Sequence, residues 1–480
     1  MKKKEIFSLF LFIFLILLLI MDKPLFLPNE VLIAADLNIY LDGIGLILGI
    51  HTIINGISIL VFGYFSDKFS RKDLLVFAGI SWALISILHI YVSEFWQLVV
   101  IRILSAIAIG ITGPLSISYI ADMISPKSRS KSFAFWGILT FIAEFSAGFI
   151  ALSFNIVEYG AITAPTINEK IDFIRNNYPG FLHTWTYPYF VIGIFALIFV
   201  ILNYFFVVEP KRARKEEQFE GILSQEDVQY TYRIKFSDLK YIFKRKSNFF
   251  LTFNFFDVIA SGLLVAFLFP YIELEIGVEF LDFRVIVFLL ISIIFGLLLG
   301  QIFLAHWGDK KVQKGDSSGR IKVAVIVSIL TLPFILLAIA MAPNIINQTF
   351  FFGALSVDEI TFWILWLVFS SLFGIGLAFT MGIGPNWYSS LVDINLPENR
   401  GTMIAIGTFI DSIGRALGAI IGGISITLTN SISMTLFWAT LIFGIISICF
   451  WVPLFYTSKK DFIDINNLMK QRAELMMKRE

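Results

Sequence analysis

Cysteine and histidine are scarce in this sequence of 480 residues, which contains one cysteine, Cys449, and four histidines. A single cysteine cannot form an internal disulfide or build a thiolate metal cluster. The sequence also lacks a Gly-x-x-x-x-Gly-Lys-Ser/Thr loop, so direct use of ATP is not expected. It has no grouping of serine, cysteine and histidine that suggests catalysis. We therefore expect no metal site, no cofactor and no enzymatic activity.

Charge is the second shortage, because charged residues make up only 15% of the chain, against about 25% in soluble proteins. Hydrophobic residues make up 57% and lie in long unbroken runs. A bilayer core about 30 Å thick is crossed by roughly 20 apolar helical residues. Only helices and closed barrels satisfy their backbone groups there. The sequence therefore predicts an all-α integral membrane protein.

Twelve apolar runs are long enough to be membrane spans. The first is predicted to be uncleaved, because no small-residue cleavage site follows it. It is also predicted to be one kinked helix, because Asp22, Lys23 and Pro24 interrupt it and residues 25–35 are too short to cross alone. The twelve predicted spans are 5–35, 43–65, 73–92, 96–121, 131–153, 186–208, 248–272, 284–306, 321–342, 359–388, 402–428 and 434–456.

Lysine and arginine fall mostly on one side of these spans. With the N-terminus inside, most of the 37 basic residues lie in cytoplasmic segments, as expected for short loops that stay inside. We expect a multi-pass protein, in the cell membrane, with both termini in the cytoplasm.

A charged connector at 209–247 separates six spans from six. It either holds an interfacial helix or is a plain solvated linker. The outer loop at 154–185 is expected to be a partly ordered cap. The predicted domains are an N-terminal six-helix bundle, the connector, a C-terminal six-helix bundle and a cytoplasmic tail, at 1–208, 209–247, 248–456 and 457–480.

An internal repeat supports two equivalent halves. A set of five residues recurs with a constant offset of 271 positions: Gly113, Pro114, Asp122, Pro126 and Arg129 correspond to Gly384, Pro385, Asp393, Pro397 and Arg400. The turn after span two also matches the turn after span eight, where Asp67-Lys68 corresponds to Asp309-Lys310. Two pseudo-symmetric bundles follow from this repeat.

The turn after span two resembles the loop signature of the major facilitator superfamily. The resemblance is carried by a glycine, an acid four residues later and a basic cluster: Gly63, Asp67, Lys68, Arg71 and Lys72. It implies the major facilitator fold and a conformational latch that stabilises the outward-open state, to which the equivalent turns add Asp122, Arg129, Asp309, Asp393 and Arg400. The alternative is that these bases only anchor the loops inside.

Other positions depart from the family's patterns. Arg102 in span four resembles the family's conserved arginine, but Ser105, Ala106 and Ala108 replace the glutamine-glycine pattern that often follows. The proline-bearing glycine motif of many antiporters is absent from span five. A similar run in span eleven, residues 414–423, has alanine in place of the proline. We interpret its glycines as a helix-packing device.

A closer resemblance is to the spinster-related branch, whose members include lysophospholipid and sphingolipid exporters. It is carried by Asp22-Lys23, the segment from Gly63 to Lys72, and Glu209-Pro210-Lys211-Arg212. It implies a transporter for a lipid-like solute.

Ionisable residues inside spans cost roughly 2.5–3.5 kcal/mol each on insertion scales, so they are functional candidates. Asp22 and Arg102 are expected at similar depth, where they form either a cavity ion pair that switches with protonation or an interfacial kink with a snorkelling Asp-Lys. Glu144 either pairs with an intramembrane base or is a second protonation site.

The second half contributes further candidates. Asn254, Asp257 and Ser261 share one helix face, so Asp257 is predicted to be a cavity acid, with a structural hydrogen bond as the alternative. Asp411 and Arg415 are four residues apart and are either an intrahelical pair or part of the pathway. Cavity-lining roles are also predicted for the two residues that follow Gly384-Pro385, namely Asn386 and Trp387.

These features predict a secondary active transporter that moves a small or amphipathic organic solute by alternating access, driven by protons. The alternatives are a proton-independent facilitator and a non-transporting membrane sensor or scaffold on the same fold. We expect a monomer surrounded by membrane lipids, with a small-molecule or lipid-like solute and protons as partners, and no nucleic acid.

Overall fold

Helices are the only regular secondary structure in the residues described by the structure, a computed structural model. The described residues are 3–123, 126–209, 243–278, 282–342, 359–395 and 397–477. Twelve of their helical segments are long and apolar enough to cross a membrane. The all-α fold with twelve spans is therefore confirmed. The chain divides into two compact units, Met1–Tyr230 and Thr231–Glu480.

The N-terminal unit contains the first six spans: Lys3–Asp36, Leu41–Gly63, Arg71–Tyr91, Phe95–Ser116, Phe135–Leu152 and Leu182–Phe206. Several helices begin where the sequence supplies a cap. The Ser70 hydroxyl accepts from the backbone of Asp73 at 3.3 Å, and Glu94 and Gln97 form a capping box at the start of span four.

Span one is a broken helix, as predicted. An α-helix runs over Lys3–Ile20, a second over Asp22–Phe26 and a third over Glu30–Asp36, with a 3-10 turn at Leu27–Asn29. The first helix ends at Ile20 and the second begins at Asp22, so the carboxylate lies next to the interruption. Proline at the start of the 3-10 turn is compatible with this change because it needs no backbone N–H partner.

The loop at 154–185 contains helical structure, as expected for a partly ordered segment. It contains the helix Ile167–Asn177, whose Arg175 donates to the carbonyls of Ala35 and Ile39 at 3.0 and 3.4 Å. Asp36 accepts from the Trp185 indole at 2.7 Å. These bonds fasten the loop to the end of span one.

The C-terminal unit contains the other six spans: Lys246–Ile276, Val287–Gln313, Gly319–Ala340, Ile360–Leu391, Met403–Thr429 and Ile432–Leu468. Two of them include π-helical turns, at Tyr271–Ile276 in span seven and Leu299–Leu304 in span eight. The predicted cytoplasmic tail continues as a helix over Leu454–Met477. Most of the connector, and with it the predicted interfacial helix, lies outside the described residues.

Span seven is also broken, which the sequence pattern did not predict. Its first helix, Lys246–Phe253, ends at Asn254, whose backbone leaves the helical region, and a second helix runs over Phe256–Pro270. Non-helical backbone at membrane depth is tolerated where it faces protein or a cavity rather than lipid.

Spans seven and eleven pack closely because glycines face the contact. A Cβ atom added at Gly418 would meet the Ile259 carbonyl oxygen at 2.2 Å, and one at Gly414 would meet the Phe255 carbonyl oxygen at 2.6 Å. The helix-packing interpretation of this glycine run is confirmed. The close approach brings Asp257 on span seven and Asp411 on span eleven to the same region.

Candidate functional site

A buried carboxylate is the centre of the polar network in the N-terminal unit. Asp22 is fully buried, and Arg102 Nη1 donates to its Oδ2 at 2.8 Å. Three further side chains contact the same carboxylate, namely His51 Nε2 at 3.1 Å, Trp82 Nε1 at 2.9 Å and Ser105 Oγ at 2.5 Å. Each oxygen therefore has two partners, and the carboxylate is well satisfied.

The Arg102 guanidinium is enclosed by the same unit. It donates to the Tyr189 hydroxyl at 3.4 Å and lies 4.9 Å from the centre of the Phe26 ring. The Tyr189 hydroxyl in turn donates to the Asp22 carbonyl at 3.2 Å. The network joins spans one, two, three, four and six.

Because the pair is buried, loss of either charge destabilises the unit. Removing one partner of a buried ion pair leaves an uncompensated charge and costs about 3–5 kcal/mol. A proton on Asp22 would have the same effect on Arg102, whose Nε and Nη2 already lack hydrogen-bond partners among the described residues.

A cavity of about 480 Å³ lies within the C-terminal unit. All six spans of the unit contribute to its wall. Its polar lining includes Asn254, Asp257, Gln301, Thr331, Thr380 and Thr440, and its aromatic lining is Phe256, Trp387, Tyr388 and Trp451. Trp387 is held in place because its indole donates to the Leu251 carbonyl at 2.6 Å.

Three ionisable residues line this cavity: Asp257, Asp411 and Arg415. The predicted intrahelical pair is absent, since no hydrogen bond or ion pair joins Asp411 to Arg415 in the described part of the chain. Arg415 is exposed, and Asp411 is partly buried. Spacing by four residues permits a pair but does not require one when both side chains can extend into a polar cavity.

The chain was compared with known proteins. A model of the Major Facilitator Superfamily matches residues 11–346, which is more than half of the chain. The chain belongs to the Major Facilitator Superfamily.

Individual relatives of this superfamily member are distant. A tetracycline resistance protein of class H from Pasteurella multocida is 31% identical over 93 residues, 19% of this chain and 23% of that protein. The matched stretch thus spans under a quarter of that relative's own length.

Two solved structures show the same fold. A bacterial homolog of the human lysosomal transporter Spinster has a TM-score of 0.67 at 16% identity, covering 96% of this chain and 99% of that one. A D-xylose-proton symporter has a TM-score of 0.61 at 16% identity, covering 93% and 97%. At such identities the similarity establishes the fold alone.

The structure describes only some residues of the superfamily's loop signature. The side chains of Asp67, Lys68, Asp122, Arg129 and Arg400 lie outside the described residues. Gly63 and Lys72 are described, and the backbone N–H of Lys72 donates to Glu209 at 2.9 Å. Arg71 is buried, with Nη1 3.8 Å from the Glu209 carboxylate. Glu209 thus carries negative charge to the amino end of span three, where the helix dipole favours it.

The equivalent turn in the second half has a three-membered charge cluster. Arg320 Nε donates to Asp309 at 2.8 Å, and its Nη1 donates to Asp393 at 2.5 Å. One guanidinium therefore joins the ends of spans eight, nine and ten. Sequence reasoning had singled out Asp309 and Asp393 but not Arg320, although this base is the nearest one at the start of span nine.

The two remaining predicted residues, Asn386 and Glu144, belong neither to the Asp22–Arg102 network nor to the cavity lining. Asn386 is buried and donates to the carbonyls of Gly382 and Leu304 at 2.9 and 3.3 Å, away from the cavity lining. Glu144 is exposed and forms no hydrogen bond or ion pair with the described residues of its unit.

Sequence reasoning missed four partners of the Asp22–Arg102 network. A lone histidine in a membrane span is more often a packed residue than a proton relay, so His51 did not stand out, and no signal distinguished Trp82 or Tyr189 from other aromatic residues. Ser105 did carry a signal, because it departs from the family's pattern in span four. The residue that breaks the pattern is the one that donates to Asp22.

Proposed function

We propose that this protein is a secondary active transporter that moves a small or amphipathic organic solute by alternating access, with protons as the coupling ion. The observation that carries the proposal is the Asp22–Arg102 pair, which is buried inside membrane-spanning helices. Membership of the superfamily and the fold shared with a proton symporter support it.

A proton changes the state of this site in a defined way. Ionised Asp22 accepts hydrogen bonds from four side chains and neutralises Arg102. Protonated Asp22 loses the ion pair and leaves the guanidinium buried without a counter-charge. Because Asp22 lies at the break of span one, the loss biases the course of that span and thereby the population of two transporter states.

Both termini lie in the cytoplasm, and the protein works in the cell membrane as a monomer.

The latch role of the loop signature is part of the same proposal. Arg71 with Glu209 in the first half, and Arg320 with Asp309 and Asp393 in the second, hold helix ends together in one conformation. The Arg320 pairs are partly exposed, and ion pairs of this kind are weak enough to break in a transport cycle. The resemblance to the spinster-related branch makes a lipid-like solute a candidate for the cargo.

The test uses proteoliposomes that contain the purified full-length chain and the pH-sensitive dye pyranine. Sugars, nucleosides, amino acids, aromatic amines and lysophospholipids are added one at a time outside. We expect at least one class to change lumenal pH, and the Asp22→Asn variant to lose that change. Asp282→Asn, which removes an exposed carboxylate paired with Arg284, serves as the control and should retain it.

Two results would contradict the proposal. Solute uptake that is equal in the parent and Asp22→Asn proteins, without any change in lumenal pH, would indicate a facilitator that does not use protons. Failure of every solute class to enter the vesicles would favour a sensor or scaffold.

A further inference from the structure

The cavity in the C-terminal unit contains hydrogen-bond acceptors that the protein leaves unsatisfied. Asn254 is 6% exposed, and its Nδ2 donates to Ser447 Oγ at 3.2 Å. Its Oδ1 is buried and has no partner within the described ranges. The Asp257 Oδ1, three residues further along the chain, is in the same condition. Because nearly all buried polar atoms are hydrogen-bonded, this wall of the cavity is built to receive a donor from outside the protein.

The charge of the lining favours a cation. Two carboxylates, Asp257 and Asp411, face one guanidinium, Arg415, so the fully ionised cavity carries a net negative charge. The helix Lys246–Phe253 ends at Asn254 and the helix Phe256–Pro270 begins two residues later, so the opposite partial charges of the two helix ends offset each other and the ionisable side chains set the sign of the charge. A ligand with a positive, N–H-donating group meets both requirements at this wall.

The size and the remaining lining indicate an organic ligand. A volume of about 480 Å³ falls in the range of about 300–1,000 Å³ that is usual for organic ligands, and it far exceeds the space of one dehydrated metal ion. Trp387, Tyr388 and Trp451 line the same cavity. Aromatic rings bury an apolar body, and their faces attract ammonium groups.

We propose that this cavity binds an organic ammonium ion with an aromatic or aliphatic body, whose N–H groups donate to Asn254 Oδ1 and Asp257 Oδ1. This inference deepens the transport proposal and rests on it for the claim that the ligand is cargo. Asp411 adds attraction at longer range, and Arg415 opposes it. The Arg102 guanidinium, by contrast, is buried and bonded to Asp22, so it does not select an anionic solute.

The test is a binding measurement on the purified full-length protein in detergent at neutral pH, followed by tryptophan fluorescence. Three probes of similar shape and different charge are compared: 2-phenylethylamine, 2-phenylethanol and 3-phenylpropanoate. We expect the amine to bind at least tenfold more tightly than the other two. Asp257→Asn should weaken amine binding about tenfold and leave the alcohol unchanged.

A second variant keeps the test decisive if Asp257→Asn folds poorly. Arg415→Gln removes the opposing charge from an exposed side chain and should tighten amine binding severalfold. Asp282→Asn, whose carboxylate lies outside the cavity, is the matched control and should change neither affinity.

Several results would overturn the inference. In the first three, the amine and the alcohol bind equally, the carboxylate binds more tightly than the amine, or none of the three probes shows saturable binding. In a fourth result, NaCl displaces the amine and KCl at the same concentration does not. The last result would assign the site to an inorganic cation. If binding depends on charge but no solute moves protons, the binding site stands and the transport proposal fails. If a solute moves protons but the three probes bind equally, the transport proposal stands and the binding site fails.

Discussion

The two units place ionisable residues inside the membrane in opposite ways. In the N-terminal unit, Asp22 and Arg102 are fully buried, and the carboxylate has four side-chain partners. In the C-terminal unit, Asp257, Asp411 and Arg415 line an open cavity without bonding to one another. We propose that these arrangements serve different purposes: the buried Asp22–Arg102 pair responds to protonation, while the cavity of the second unit leaves hydrogen-bond acceptors for a ligand.

The units also differ in what joins their helices. Hydrogen bonds to the Asp22 carboxylate connect four spans of the first unit, and Tyr189 adds span six through Arg102 and the Asp22 carbonyl. In the second unit, the contact between spans seven and eleven depends on glycines that let the backbones approach. Asp257 and Asp411, which lie beside this contact, line the cavity.

The largest expected effect comes from breaking the saturated site. Asp22→Asn should lower the free energy of unfolding by about 3–5 kcal/mol, because it leaves Arg102 buried without a counter-charge. Equilibrium unfolding of the purified chain in detergent measures this loss. The double variant Asp22→Leu/Arg102→Met removes both charges and should recover most of the stability. Additive losses in the double variant would show that the two residues do not act as a pair.

The next effect tests the glycine contact of the second unit. Gly418→Ala should destabilise the chain by about 1–3 kcal/mol, because the added Cβ would meet the Ile259 carbonyl oxygen and force the helices apart. Gly148→Ala is the matched control, since a Cβ there meets nothing within 4 Å. This control should be neutral or stabilising by up to about 1 kcal/mol, given the better helix propensity of alanine. Similar losses in both variants would argue against close packing at Gly418.

A smaller effect is expected from neutralising the unsaturated site. Asp257→Asn should change the free energy of unfolding by less than about 1 kcal/mol, because no side chain among the described residues donates to this carboxylate and a poorly compensated charge is removed. The measurement is the same unfolding experiment used for Asp22→Asn. A loss as large as that of Asp22→Asn would mean that Asp257 has a structural partner, and the contrast between the units would fail.

The smallest effect belongs to a partly exposed pair whose carboxylate, Asp316, lies in the turn between spans eight and nine, and it provides a reference for both sites. A hydrogen bond donated by Lys322, 2.7 Å away, holds the pKa of the Asp316 carboxyl below its usual range. A carboxyl whose pKa is lowered by folding stabilises the protein at neutral pH, and this contribution is lost as pH falls through the pKa of the folded state. Asp316→Asn should remove about 0.2–1 kcal/mol at neutral pH and nothing at low pH. Unfolding measured at both pH values checks this, and an equal loss at both would contradict it.

Much of the architecture could be predicted from the sequence because its causes are local. A span needs a minimum length of apolar helix, so the hydropathy of successive residues is enough to count twelve. The break in span one was visible because Asp22, Lys23 and Pro24 interrupt the run. The break in span seven was not, since Asn254 fits a continuous helix face and no proline or glycine lies beside it.

The candidate sites divide in the same way. Placing an ionised side chain in the bilayer core costs free energy, so Asp22, Arg102, Asp257 and Asp411 stand out from the sequence alone. It does not say which partner each residue finds. Asp22 and Arg102 meet across 80 positions of the chain, whereas Asp411 and Arg415, four positions apart, do not bond.

The sequence by itself determined that this protein crosses a membrane twelve times, that its halves repeat and that a few ionisable residues lie within the spans. Length, hydropathy and spacing are sufficient for these conclusions because each depends on neighbours along the chain. Only the tertiary structure decided that His51, Trp82 and Ser105 converge on Asp22, and that Asn254 and Asp257 keep free acceptors. Hydrogen bonds depend on distance and direction between helices, and those are set by how whole helices pack.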